Sequence, residues 1–182
     1  MAAFGSKIFR KQCNRSKVPH MILIALGSNL PSLAGAPVQT LRAALMELAR
    51  ADVRIVAVSS FYRTVAWPDP ADPSFVNAVA RVETGLSPQS LIARLHEVER
   101  VFGRTRGARN APRTLDLDLL DYDGRIEAGP PTLPHPRISS RDFVLVPLRD
   151  VAPEWRHPIE AKSVDALIAA LPANERAPEK LA

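Results

Sequence analysis

The chain has 182 residues, 46% apolar and 5% aromatic, with 24 basic and 19 acidic side chains and a formal charge of +5. That length suits one domain with a sizeable core, no apolar run is long enough to cross a membrane, and the single Cys13 excludes an intramolecular disulfide, in keeping with a cytoplasmic setting. The positive charge does not imply nucleic acid, because Lys7, Arg10, Lys11, Arg15 and Lys17 sit with no acid in residues 1–20, and 19 basic side chains face 19 acidic ones in the remainder. Residues 1–20 lack the apolar stretch of a secretory signal. They read as a basic, disordered and silent extension (an upstream start or a cloning remnant, with a transit peptide as the alternative), and residues 21–182 read as the single domain.

Residues 21–26, Met-Ile-Leu-Ile-Ala-Leu, form a short buried-strand run stopped by Gly27, Ser28 and Asn29. Pro37 suits a first helical turn, and Val38, Leu41, Leu45 and Leu48 then recur at helical spacing. Residues 53–62 are rich in β-branched side chains and predict one longer strand. Residues 67–73, with Pro68, Pro70 and Pro73, predict a mobile loop, and residues 75–83 another strand. Ser87-Pro88 is an N-cap signal for a helix whose apolar side carries Leu91, Leu95, Val98 and Phe102, with Gly103 as the stop. Residues 115–122 predict an acidic strand closed by Asp123-Gly124. A connection with Pro130, Pro131, Pro134 and Pro136, an apolar segment at 143–148 and a helical candidate at 163–171 complete the chain. The order β-α-β-β-α-β predicts an α+β fold with a ferredoxin-like core, an antiparallel sheet and C-terminal additions.

Chemistry concentrates in Ala111-Pro-Arg-Thr-Leu-Asp-Leu-Asp-Leu-Leu-Asp121. On a strand, Asp116 and Asp118 share one face and Leu115, Leu117 and Leu119 the other. Taken alone, the pair reads equally as a solvated acidic face or as hard-oxygen ligands for Mg²⁺. Just upstream lie Arg104, Arg106, Arg109 and Arg113 in a Gly- and Pro-containing loop. These suit phosphate oxygens, or a solvated basic loop, or a nucleic-acid patch. Acids directly beside the loop argue against nucleic acid. A Walker-type G-x-x-x-x-G-K-[ST] is absent from the sequence. An RNA-binding ferredoxin-like module and a different D-x-D enzyme, such as a sugar-nucleotide transferase, are the competing readings.

Six segments occur in one order: Ala25-Leu-Gly-Ser-Asn29, Ser59-Ser-Phe-Tyr-Arg-Thr64, Phe75-Val-Asn77, Pro112-Arg-Thr-Leu-Asp-Leu-Asp118, Leu133-Pro-His135 and Arg141-Asp-Phe143. Together they resemble the 6-hydroxymethyl-7,8-dihydropterin pyrophosphokinase family of folate biosynthesis. The resemblance implies transfer of the β,γ-pyrophosphoryl group of ATP to the pterin hydroxyl, giving AMP and the pterin diphosphate. It implies two Mg²⁺ ions on Asp116 and Asp118, and Arg104 and Arg113 as catalytic clamps on the triphosphate. Arg106, Arg109, Glu99, His96, Thr132, His135 and Arg141 are implied ATP contacts. Phe75 and Phe143 match two aromatic walls for the pterin, Asn77 its amide reader, and Gly27, Ser28, Thr64 and Val65 further contacts. ATP and the pterin are the implied partners of a monomer that uses no nucleic acid or membrane. The chain departs from some relatives at Asn110, where they carry tryptophan in a loop one residue longer, and at Pro136, where they carry tyrosine. Trp67 is also differently spaced within its proline loop.

Overall fold

A run as continuously apolar as Ile-Leu-Ile-Ala-Leu must be covered on both faces when it becomes a strand. It forms β1 (Ile22–Ser28), six of whose seven residues are buried, inside the sheet with a strand on either side. The computed structural model describes residues 21–104, 111–172 and 177–182. After β1 come α1 (Pro37–Arg50), β2 (Arg54–Val58), β3 (Tyr62–Thr64), β4 (Phe75–Glu83), α2 (Pro88–Val101), β5 (Asp116–Tyr122), α3 (Asp142–Val151), α4 (Val164–Ala170) and β6 (Glu179–Lys180). The strand order is β5-β1-β4-β3-β6, with β2 also on β4, and every pair is antiparallel. This is the α+β arrangement expected from the element order.

One face of β1, β4 and β5 is covered by helices. Ile22, Ile24 and Leu26 of β1, Val76, Ala80 and Val82 of β4, and Leu115, Leu117 and Leu119 pack against Leu41 and Leu48 of α1 and Leu91, Leu95 and Val98 of α2. Pro37 begins α1, and the Ser87 hydroxyl caps α2 by accepting the Ser90 N–H at 3.2 Å. The second face is covered over half its length. Leu23, Val79 and Leu120 pack beneath Val144, Leu145 and Leu148 of α3, together with Trp155 and Leu167. Beyond them Gly27, Asn77, Asp116 and Asp118 lie outside this packed cluster, while Ala25 packs against its edge.

The ladder between β1 and β5 shifts register after Leu23, leaving Leu120 as an extra residue. Leu120 and Asp121 therefore both serve the second face, where buried Asp121 accepts the Trp155 indole N–H at 2.6 Å. Tyr122 returns to the first core.

One element departs from the sequence expectations, a segment left open there proves helical, and one short strand is new. The single strand expected at 53–62 is divided at Ser59 and Ser60: the Ser59 N–H still donates to the Val79 carbonyl at 2.9 Å, but the return bond and those of Ser60 go to side chains. The Ser59 hydroxyl accepts the Val79 N–H at 3.0 Å, and Asp150 of α3 accepts the Ser60 N–H and the Tyr62 hydroxyl at 3.1 and 3.0 Å. The apolar segment at 143–148 lies in the helix α3, with Pro147 inside it. The two-residue β6 had no sequence signal, and it extends the sheet beside β3. No described helix is long and apolar enough to cross a membrane.

Candidate active site

The half of the second face that α3 leaves open is the floor of a cavity of about 760 Å³. Gly27 lies at its middle, paired with Asn77 of β4 on one side and Asp116 of β5 on the other. A Cβ on Gly27 would stand 3.2 Å from Asn77 Oδ1 and 3.7 Å from Asp116 Cβ, so glycine is what lets both side chains rise from the same patch of floor.

Asp116 and Asp118 project into the cavity, their side chains 28% and 40% exposed, while Leu117 between them is core. Arg104 and Arg113 reach Asp116 at 2.6 and 3.1 Å. Arg141 and His135 face Asp118 at 3.9 and 4.0 Å. Two adjacent carboxylates are thus tolerated because cationic or donor groups surround them.

Each of these groups is held by a specific backbone arrangement. Arg113 is fastened by Asn29, whose Oδ1 accepts the Arg113 N–H at 2.7 Å, while the N–H groups of Asn29 and Leu30 both donate to the Arg113 carbonyl at 3.1 Å. The Asn29 amide also donates to the Pro73 carbonyl at 3.0 Å, tying the loop before β4 to the same point. Arg104 follows α2 and pairs with Glu99 of that helix as well as with Asp116. Glu99 is buried and accepts the Leu117 N–H at 2.7 Å. Burial pushes its carboxyl up to about 7, against the opposing pull of the Leu117 N–H and Arg104, with Asp116 adding to the rise.

His135 is brought beside Asp118 by a return of the chain after β5. Asp123 and Gly124, both with positive φ, reverse it; Glu127 and Leu133 bridge; and the His135 N–H donates to the Leu120 carbonyl at 2.8 Å. Burial holds His135 below its usual pKa, opposed by Asp118 and reinforced by Arg141 and Arg137. Its Nδ1 accepts the Arg137 N–H at 3.2 Å, which leaves the proton of the neutral ring on Nε2, facing the cavity.

The other end of the cavity is aromatic. Phe75 opens β4, Phe143 lies in the first turn of α3, and the Arg141 guanidinium sits 5.3 Å from the Phe143 ring centroid. The Asn77 amide donates to Thr64 Oγ1 at 2.8 Å. Val65 and the exposed Trp67 line the rim.

Residues 23–153 match the family model of 7,8-dihydro-6-hydroxymethylpterin-pyrophosphokinase. The chain belongs to this family. Among relatives in the pyrophosphokinase family, a 2-amino-4-hydroxy-6-hydroxymethyldihydropteridine pyrophosphokinase of Synechocystis sp. is 37% identical over 170 residues, covering 92% of this chain and 82% of the relative. Its Pseudomonas aeruginosa namesake is 41% identical over 155 residues, covering 83% and 91%. The crystal structure of Plasmodium falciparum HPPK-DHPS superposes with a TM-score of 0.62 at 13% identity. That likeness concerns the fold alone, and it covers 82% of this chain but 44% of the Plasmodium one.

Against this family background, the residues expected from sequence divide clearly. Asp116, Asp118, Arg104, Arg113, His135, Arg141, Gly27, Thr64, Val65, Phe75, Asn77 and Phe143 all line the one cavity. Four do not. Glu99 lies beneath the floor as a support for Arg104 rather than as a lining residue, because its position four after Leu95 puts it on the buried side of α2. His96 is exposed on α2 away from the lining, and Thr132 is exposed on the proline-rich return. Ser28 is fully buried, its hydroxyl donating to the Leu30 carbonyl at 3.2 Å. Arg106 and Arg109, like residues 1–20 and Asn110, lie outside the described residues. Arg137 and Trp67 line the cavity although sequence reasoning assigned them no role there.

Proposed function

We propose that this chain transfers the β,γ-pyrophosphoryl group of ATP to the hydroxyl of 6-hydroxymethyl-7,8-dihydropterin, giving AMP and the pterin diphosphate for tetrahydrofolate synthesis. Family membership across residues 23–153 supports the reaction. The observation that carries the site assignment is the position of Gly27, flanked by Asn77 on one strand and Asp116 on the other. An amide able to read a heterocycle edge and an acid pair suited to a metal–phosphate complex thereby share one floor.

Phe75 and Phe143 would stack the flat pterin, with Asn77, oriented by Thr64, reading its amide edge. Asp116 and Asp118 would hold two Mg²⁺ ions. The donor set suits that metal: two partly exposed carboxylates on one strand face offer hard oxygens, and nucleotide oxygens and water would complete the shell. Bound there, magnesium would neutralise phosphate charge and acidify the attacking hydroxyl.

The protein groups supply position and charge. Arg104 and Arg113, paired with Asp116 when no ligand is present, would exchange that carboxylate for phosphate oxygens. Glu99 keeps Arg104 within reach during the exchange. The Nε2–H of His135 and the guanidinium of Arg141 would steady the same phosphates from the Asp118 side. An Asp118 oxygen would take the hydroxyl proton. Placement and charge compensation of this kind account for most of the acceleration that phosphoryl-type transfer needs.

Residues 21–182 are proposed to carry the whole activity. The test incubates ATP, Mg²⁺ and the pterin alcohol with the full chain, a chain starting at Met21, and Asp116→Ala and Asp118→Ala variants, and identifies the nucleotide product. AMP from the first two, and a loss of at least about 1,000-fold in rate with retained folding in the variants, is expected. ADP as the product, or full activity in either variant, refutes the reading.

A further inference from the structure

One basic side chain in the cavity has no task in the reaction as set out above. Arg104 and Arg113 pair with Asp116, and Arg141 faces Asp118 and stacks on Phe143. Arg137 lines the same cavity, and no ion pair joins it to a carboxylate among the described residues.

Its charge instead bears on two neighbouring donors. His135 and Arg141 line the same cavity and both face Asp118, at 4.0 and 3.9 Å. Basic groups crowded together repel one another, and a polyanion is the ligand that turns this repulsion into attraction. The local backbone is also held. The Arg137 N–H is committed to His135 Nδ1 at 3.2 Å, and the Arg137 carbonyl accepts from the Ser140 hydroxyl at 3.3 Å across a short 3-10 turn (Ile138–Ser140). The exposed side chain is left to reach, and a guanidinium on a fixed base is well suited to a phosphate's paired oxygens.

We propose that Arg137 is a further phosphate-contacting residue, gripping the nucleotide's polyphosphate from the Asp118 side together with His135 and Arg141. This rests on the reading of the cavity as an ATP site and names a contact that reading does not require. The grip acts on binding of the polyphosphate and leaves the pterin end alone.

The decisive measurement is calorimetric titration of inorganic tripolyphosphate, with Mg²⁺, into the full chain and three variants: Arg137→Ala, Arg137→Lys and Arg50→Ala. Arg50, exposed at the end of α1 under the opposite sheet face, controls for bulk charge. Arg137→Ala is expected to weaken tripolyphosphate about 10-fold, Arg137→Lys to recover part of that, and Arg50→Ala to change nothing. In steady state the KM for ATP should rise by a similar factor in Arg137→Ala, with the pterin KM unchanged. Unaltered tripolyphosphate affinity in Arg137→Ala overturns the inference, as does an equal loss in Arg50→Ala or a KM change confined to the pterin. If the wild-type chain forms no AMP while Arg137→Ala still weakens tripolyphosphate, the contact stands and the pyrophosphokinase reading falls. AMP formation with unchanged tripolyphosphate binding removes the contact alone.

Discussion

Glu99 is a carboxyl that the fold buries beneath its own site, where it braces a guanidinium and a strand N–H at once. Because burial raises it to about 7 from an ordinary 4.5, the folded chain keeps a proton there that the unfolded chain releases. The favourable contribution is complete below about pH 4.5 and fades as pH climbs towards about 7. The ligand-free melting temperature should therefore fall more steeply across that window in the wild type than in Glu99→Gln. Superimposable pH profiles would refute the argument. Gly27 is constrained sterically instead. Gly27→Ala sets a methyl 3.2 Å from Asn77 Oδ1, so the amide must give by a few tenths of an ångström against the hold of its Thr64 partner. About 1 kcal/mol of stability should be lost, and the pterin KM should rise about 10-fold with the ATP KM little changed. Equal KM increases for both substrates would show that the methyl disturbs the floor generally.

Three connections meet at Asn29: the end of β1, the residue carrying Arg113, and the loop leading to Phe75. Asn29→Ala removes a buried side chain from the half-buried Arg113 N–H and the exposed Pro73 carbonyl, at a cost of about 1–2 kcal/mol. Both KM values should rise, since one side chain secures both ends of the site; a change confined to ATP kinetics would disprove the shared role. The two faces of β5 were legible in sequence because charge and leucine alternate without interruption from Leu115 to Leu119, and that periodicity alone decides which side is core. The break between β2 and β3 was hidden, since Ser59 and Ser60 stand where a glycine or proline would have announced it. Helix α3 was obscured for a different reason: Phe-Val-Leu-Val-Pro-Leu is apolar throughout, and period cannot separate a buried helix from a buried strand. Glu99 had a readable clue in its place on the Leu91–Leu95 row of α2, yet charge suggested exposure. The inward turn of Asp121 depends on the Leu120 bulge, which no residue type signals.

Over the whole molecule, one sheet does two jobs on the same strands. Its first face and the covered half of the second supply the core, and the remaining half supplies the working surface, so the site stands on hydrogen-bonded backbone rather than on loops. Loops contribute the cationic rim, including Arg104, Arg113 and Arg137, whose backbones are held while their side chains would exchange partners for phosphate. This division has a consequence for the substrates. Asn77 and Asp116 are separated by the two ladders that flank Gly27, and ladders have a set width of about 4.8 Å each. The Cα atoms of Asn77 and Asp116 thus stand about 10 Å apart on a measuring rod of backbone, a span set by the sheet, from which the amide and the carboxylate would reach towards heterocycle and metal. A pterin with a hydroxyethyl arm in place of hydroxymethyl should still bind between the aromatic walls, but its oxygen will overshoot the phosphorus. Its kcat should fall at least about 100-fold while its dissociation constant changes little, as stopped-assay kinetics and calorimetry can determine. Comparable turnover of the two alcohols would mean that the rod bends.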